Sequence, residues 1–231
     1  MQYIEQLNNL YNNNITYVSK YKNDQYFLFK NYEENKDAYE YLKVLYIKDL
    51  WVTETQPSIK EGETEELVIQ YIETGEIHNL SQIEIQTVKN INYTVNKYIT
   101  YNNPNPIISI ELIHNIHTNL MNELLNPEFV GVYRKTYVKA HNSNMEYVNS
   151  KIIEKKLHTL IDFFNNTQTT NTNEHILKSI IFFSEFLRIH TYINVLEARS
   201  DCLVKYDDIK NLIDYIFTRI EKTYITFLSV C

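Results

Sequence analysis

Phe186-Leu187-Arg188-Ile189-His190-Thr191-Tyr192-Ile193-Asn194-Val195-Leu196-Glu197-Ala198-Arg199 is the stretch that decides the fold. It closes an apolar helical stripe. Ile176, Ile180, Phe183, Leu187 and His190 recur at steps of four, three, four and three, the rhythm of one helix face. A lone histidine on such a stripe reads most simply as a partly buried side chain that ends a core face. The segments upstream of it change that reading.

About 60 residues earlier stands Gly131-Val132-Tyr133-Arg134. It follows a helical run with Leu112-Ile113-His114 and His117, and then Leu124-Leu125-Asn126-Pro127. Taken alone, Gly131 to Arg134 is a turn with a surface arginine. After it come Val138-Lys139-Ala140-His141-Asn142-Ser143-Asn144, and a helix ending Leu160-Ile161-Asp162-Phe163-Phe164-Asn165. Far upstream lies Ser58-Ile59-Lys60-Glu61-Gly62-Glu63-Thr64. Its plain reading is an acidic helix start, since Glu61, Glu63, Glu65 and Glu66 suit the positive end of a helix dipole.

The order of these segments, over about residues 55 to 205, resembles the Fic (Fido) family. That family's active-site segment reads I-H-P-F-x-D/E-G-N-G-R. It is preceded by an "L-x-x-L-H" helix, a "G-x-Y/F-R" turn and a β-hairpin flap. An inhibitory helix with S/T-x-x-x-E-G/N occurs in many members. The resemblance implies a protein adenylyltransferase that moves AMP from ATP to a protein hydroxyl. His190 would be the general base, Asn194 and Arg199 would meet the nucleotide phosphates, and Glu61 would be the inhibitory glutamate. Val138, Lys139 and Ala140 would form the target-binding flap. ATP with Mg²⁺ would be the cofactor of an active member.

The chain departs from the pattern where phosphate is gripped. Thr191 and Tyr192 replace proline and phenylalanine. Asn194 stands where a metal-binding carboxylate is expected, and it brings a carbonyl without charge. Val195, Leu196 and Glu197 occupy the Gly-Asn-Gly positions. A backbone anion nest needs φ angles that glycine adopts cheaply, and Val195 and Leu196 resist them. Arg199 falls one residue late, and Asp201 takes the second arginine's place. A one-residue insertion restores Arg199 or brings Glu197 toward the metal; the sequence leaves both registers open. Ser58 stands three residues before Glu61, where the family pattern has four. These departures point to a diverged active site, weak or inactive in AMP transfer, in a protein that acts by binding a protein partner at the flap. The alternative is an active transferase with a remodelled loop, using His190, Arg199 and Glu197.

The expected fold is mainly α: a Fic-like helical bundle with a short β-hairpin flap. Residues 1–54 are expected as a helical N-terminal extension with a short strand at Tyr26 to Phe29. Residues 55–231 are expected as the Fic-like domain with a C-terminal helix. Only 3 glycines and 4 prolines punctuate 231 residues, which favours long helices over many tight turns. Asn12-Asn13-Asn14 reads as a loop signal. A helix is predicted from Asp37 to Val52, with Tyr41, Leu42, Leu45, Tyr46 and Leu50 on its apolar face. Ser81 and Glu84 have capping-box spacing. Ser109 caps the helix that carries Ile113, Ile116, Leu120 and Leu124, which Pro127 ends. Asn173 caps the helix that leads to His190, and a last helix runs from Asp207.

Composition excludes other classes. The hydrophobic fraction is 44% and net charge is −7, so the chain is not disordered and carries no large basic surface for nucleic acid. Cys202 and Cys231 are too few for a disulfide framework. No apolar run approaches the roughly 18 residues that span a membrane, and Met1 to Glu5 lacks the basic start of a signal peptide. A cytoplasmic or otherwise intracellular protein without membrane or nucleic-acid partners is expected. Oligomeric state is left open. No P-loop, dinucleotide fingerprint, H-E-x-x-H or C-x-x-C occurs, so no metal site is expected. His114 and His117 share a helix face but lack a third ligand, which favours a solvated or packing role. Lys151, Lys155 and Lys156 read as a solvated face.

Overall fold

A computed structural model of the chain describes residues 2–21, 36–55, 63–98, 107–138, 147–192 and 209–230. They form α1 (Gln2–Val18), α2 (Lys36–Thr55), α3 (Thr64–Thr74), α4 (Gln82–Tyr98), α5 (Ile110–Met121), α6 (Ile153–Asn166), α7 (Thr172–Ile189) and α8 (Ile209–Val230). Short 3₁₀ turns at Pro127–Phe129 and Ser150–Ile152 lead out of α5 and into α6. No strand occurs among the described residues. The expected hairpin falls partly on residues 139–146, and the expected strand at Tyr26 to Phe29 wholly, outside them.

The helices pack into two connected groups. In one, α1, α6, α7 and α8 share a core of Leu7, Tyr11, Ile153, Leu160, Leu177, Ile181, Ile213 and Phe217. In the other, α2, α3 and α4 enclose Ile47, Trp51, Val68, Val88 and Val95. α5 bridges them, packing on α4 and α6. Ile113 of α5 meets Leu157 and Ile161 of α6, with Tyr192 from beyond α7.

Capping decides several boundaries as the sequence indicated. Ser81 and Glu84 form a reciprocal box: the Ser81 N–H donates to Oε2 at 2.8 Å, and the Glu84 N–H donates to Ser81 Oγ at 3.3 Å. Ser109 Oγ accepts from the Leu112 N–H at 3.0 Å.

Other expectations are corrected. Asn12 to Asn14 lies inside α1, not in a loop. Leu7, Tyr11, Asn14 and Val18 are buried at steps of four, three and four, and that tertiary burial outweighs the poor helix propensity of asparagine. α5 stops at Met121, well before Pro127; Glu123 at φ 60° reverses the chain. The buried face of α2 is Ile47 and Trp51 with Val44 and Leu50, so Leu50 packs as expected while Tyr41 and Tyr46 are exposed. Asn171, not Asn173, caps α7, accepting from the Glu174 N–H at 3.0 Å. Asn173 is buried and donates to the Val18 and Tyr21 carbonyls, both at 3.0 Å. It closes the C-terminal end of α1. α6 begins at Ile153, directly after the 3₁₀ turn over Ser150–Ile152. Among the described residues no helix is long and apolar enough to cross a membrane.

Candidate functional site

The site is built where α7 ends. His190 is its C-cap, in the left-handed region at φ 46° and ψ 68°. Its N–H donates to the Phe186 carbonyl at 3.1 Å. A side chain other than glycine at positive φ is uncommon, with His among the more tolerated types. Something must hold it there, and Arg134 does.

Arg134 is 2% exposed. Its Nε donates to the His190 carbonyl at 2.5 Å and its Nη2 to the Ile189 carbonyl at 3.2 Å. Nη1 donates to the Thr136 carbonyl at 2.8 Å, and Nη2 also donates to the Val148 carbonyl. Its backbone N–H donates to the Thr191 carbonyl at 3.1 Å. These acceptors include carbonyls that the end of an α-helix leaves unpaired, and a cation suits that negative dipole end. The reading of Arg134 as a surface residue is therefore corrected: it is a buried clamp. Burial pulls its pKa below the ordinary arginine value.

Above the clamp lies Tyr147. Its ring stacks on the His190 imidazole, 4.2 Å between centroids and 19° between planes. Burial, helped by the nearby Arg134 guanidinium, lowers the His190 pKa to about 4. At neutral pH the ring is uncharged, and one ring nitrogen carries no proton.

The turn before Arg134 is set by α5. Gly131 sits at φ 67°, and a Cβ there would collide with Thr118 Oγ1. Its N–H donates to His117 Nδ1 at 2.9 Å, which assigns the ring proton of neutral His117 to Nε2. His117 is buried and stacks on Tyr192 at 4.1 Å. The Tyr192 hydroxyl and His114 Nδ1 are 2.9 Å apart. Burial, with Tyr133 beside it, raises the Tyr192 pKa. Tyrosine in place of the pattern's phenylalanine thus gains a polar partner on α5. Of the solvated and packing roles left open for the two histidines of α5, the structure selects packing with hydrogen bonding. Among the described residues no group of three His, Cys, Asp or Glu could hold a metal.

Between α5 and α7 runs a cavity of about 420 Å³. Ile108, Leu112, Ile116, Leu120, Met121, Phe183 and Leu187 line much of it, and His117, His190, Thr191 and Tyr192 also border it. The stripe read from the sequence therefore divides. Ile180 is core, while Phe183, Leu187 and His190 face the cavity.

Of the residues singled out in the sequence, His190 and Val138 are described, and the Gly131 to Arg134 turn is brought against His190. Val138 is half-buried, and the preceding Tyr137 is 61% exposed. Asn194, Arg199, Glu61, Lys139 and Ala140 lie outside the described residues. Sequence reasoning missed Tyr147 and understated Arg134. The "G-x-Y-R" spacing was the available signal for the arginine; nothing local marks Tyr147.

No family model matches the sequence, and no curated protein matches it. Five chains of solved structures match. One is the crystal structure of a Fic family protein from Desulfovibrio desulfuricans G20, with a TM-score of 0.53 at 18% identity. The alignment covers 99% of this chain and 61% of that one, so this chain spans less than two thirds of its length. At that identity the likeness is one of fold. The ordered motifs, the histidine at the end of α7 and this structural neighbour together establish a divergent Fic-like, mainly helical fold.

Proposed function

We propose that this Fic-fold protein has lost efficient AMP transfer and works by binding a protein partner at the flap that follows Arg134. The environment of His190 carries the reading. A general base works best with a pKa near the operating pH. His190, stacked under Tyr147 and beside a buried guanidinium, is held at about 4. It is a weak proton acceptor there.

ATP and Mg²⁺ do not fit the residues present. The cavity beside His190 is lined mostly by aliphatic and aromatic side chains, which offer a triphosphate little to bind. The chain carries Val195-Leu196-Glu197 where a phosphate nest needs glycine, and Asn194 where a carboxylate would hold the metal. Partner binding draws support from exposed apolar side chains on the flap side, Val132 at 42% and Tyr137 at 61%. An extended partner segment can add backbone hydrogen bonds to such a segment, at Val138, Lys139 and Ala140.

One observation favours the rival reading, an active transferase with a remodelled loop. The neutral His190 ring is in the protonation state a base requires. Incubation of the purified protein with labelled ATP, Mg²⁺ or Mn²⁺ and a cell lysate separates the two, with His190→Ala as control. Labelling at the level of the control is expected. Protein labelling that disappears in His190→Ala would establish the rival.

A further inference from the structure

We infer that Arg134 is the positioning residue of this site: its guanidinium fixes His190 in the helix-ending turn and ties that turn to residues 136 and 147–148. One side chain holds the main-chain carbonyls of four residues from three places in the chain. All four acceptors belong to the backbone, so only the arginine can vary by substitution. Guanidinium is a rigid planar fork with five donors, so its acceptors must stay in register with one another. The backbone of Arg134 adds a grip on Thr191.

The tie reaches the imidazole from above as well. Val148, whose carbonyl Arg134 holds, also donates its N–H to the Arg188 carbonyl at 3.4 Å. Its neighbour Tyr147 is the ring stacked on His190. Displacing residues 147–148 therefore slides the aromatic cover and exposes the imidazole to water. A partner that moves this segment alters His190 through Arg134. Tyr147 stacks on the imidazole and the Arg134 guanidinium is the charged group beside it; the titratable His117 and Tyr192 line the same cavity as His190.

The test is the titration of His190 followed by NMR of carbon-labelled histidine in the full chain, wild type against Arg134→Lys. Lysine keeps the charge but cannot span four carbonyls. A positioning role moves the His190 titration upward by about one pH unit or more, as water reaches the ring. Its modification by diethyl pyrocarbonate quickens in parallel. A folded Arg134→Lys protein with His190 titrating as in wild type overturns the inference, because arginine would then act as charge alone.

Should Arg134→Lys fail to fold, NMR of nitrogen-labelled arginine in the wild-type chain decides the matter. A guanidinium held by four carbonyls gives separate, slowly exchanging Nε and Nη proton signals, which supports the inference. An averaged, rapidly exchanging Arg134 guanidinium overturns it. The readout does not depend on AMP transfer, so its failure and the failure of the proposed function are distinguishable.

Discussion

The Tyr147 ring lies flat on the His190 imidazole at 4.2 Å, and the two residues stand at opposite ends of the segment that forms α6 and α7. The stack covers a histidine that would otherwise titrate near the ordinary value of 6.5, and burial holds it at about 4. Folding therefore favours the neutral ring. Between about pH 6.5 and pH 4 the unfolded chain binds a proton that the folded chain refuses. Stability rises with pH across that window and falls on acidification. His190→Gln should flatten the fall by about 1–3 kcal/mol. Denaturant midpoints at pH 7 and pH 4.5, compared between wild type and variant, check it. His175, lowered by burial too, contributes equally to both proteins and cancels.

Gly131 is required by both conformation and space. Its φ of 67° is left-handed, and an added Cβ meets Thr118 Oγ1. Thr118 is not free to yield without loss, since its hydroxyl donates to the His114 carbonyl at 2.8 Å. Gly131→Ala should lower stability by about 1–3 kcal/mol. Thermal unfolding of Gly131→Ala alone, and combined with Thr118→Ala, reads the two causes. Partial recovery in the double variant is expected, with the conformational cost remaining.

Two asparagines two residues apart should differ sharply. Asn171 is an exposed cap, and Asn171→Ala should cost about 1 kcal/mol. Asn173 is buried and satisfies two carbonyls at the end of α1. Asn173→Ala leaves both without that donor and should cost about 2–3 kcal/mol. Urea unfolding of the two variants gives the comparison. Equal losses would mean that α1 is held by its apolar face alone.

The sequence disclosed features whose partners lie within a few residues. Ser81 with Glu84 and Ser109 with Leu112 are local bonds, so their spacing predicts them. His190 was found because a helical stripe and an ordered set of motifs converge on it. Features with distant partners were misread. Asn173 bonds residues more than 150 positions away, so it passed for a cap. Asn14 is buried by α1 packing, which its asparagine-rich neighbourhood hides. Arg134 passed for a surface residue because its acceptors are carbonyls, which every residue has and no sequence marks. The tyrosines of α2 were misplaced because tyrosines can sit on either side of a helix, and here Tyr41 is exposed and donates to Glu65 at 3.0 Å.

Glu61 tests whether the site is silent or restrained. The resemblance makes it the inhibitory glutamate, and it lies outside the described residues. The acidic cluster that continues from it is at a helix start, as its composition indicated. Glu63 is the N-cap residue of α3, and Glu65 and Glu66 lie in the first turn. Glu65 is engaged with α2: Tyr41 donates to it, and Lys48 stands at 3.8 Å. α3 itself packs on α2. A glutamate at such an acidic helix start adds little, because exposed pairs are worth about 0–1 kcal/mol. Glu61→Gly should therefore shift the unfolding midpoint slightly and leave labelling from ATP at the level of His190→Ala. Removing a competitor for phosphate restores nothing if Val195, Leu196 and Glu197 cannot cradle phosphate. A large gain in protein labelling on Glu61→Gly would reveal a repressed enzyme, and the reading of a lost activity would fall.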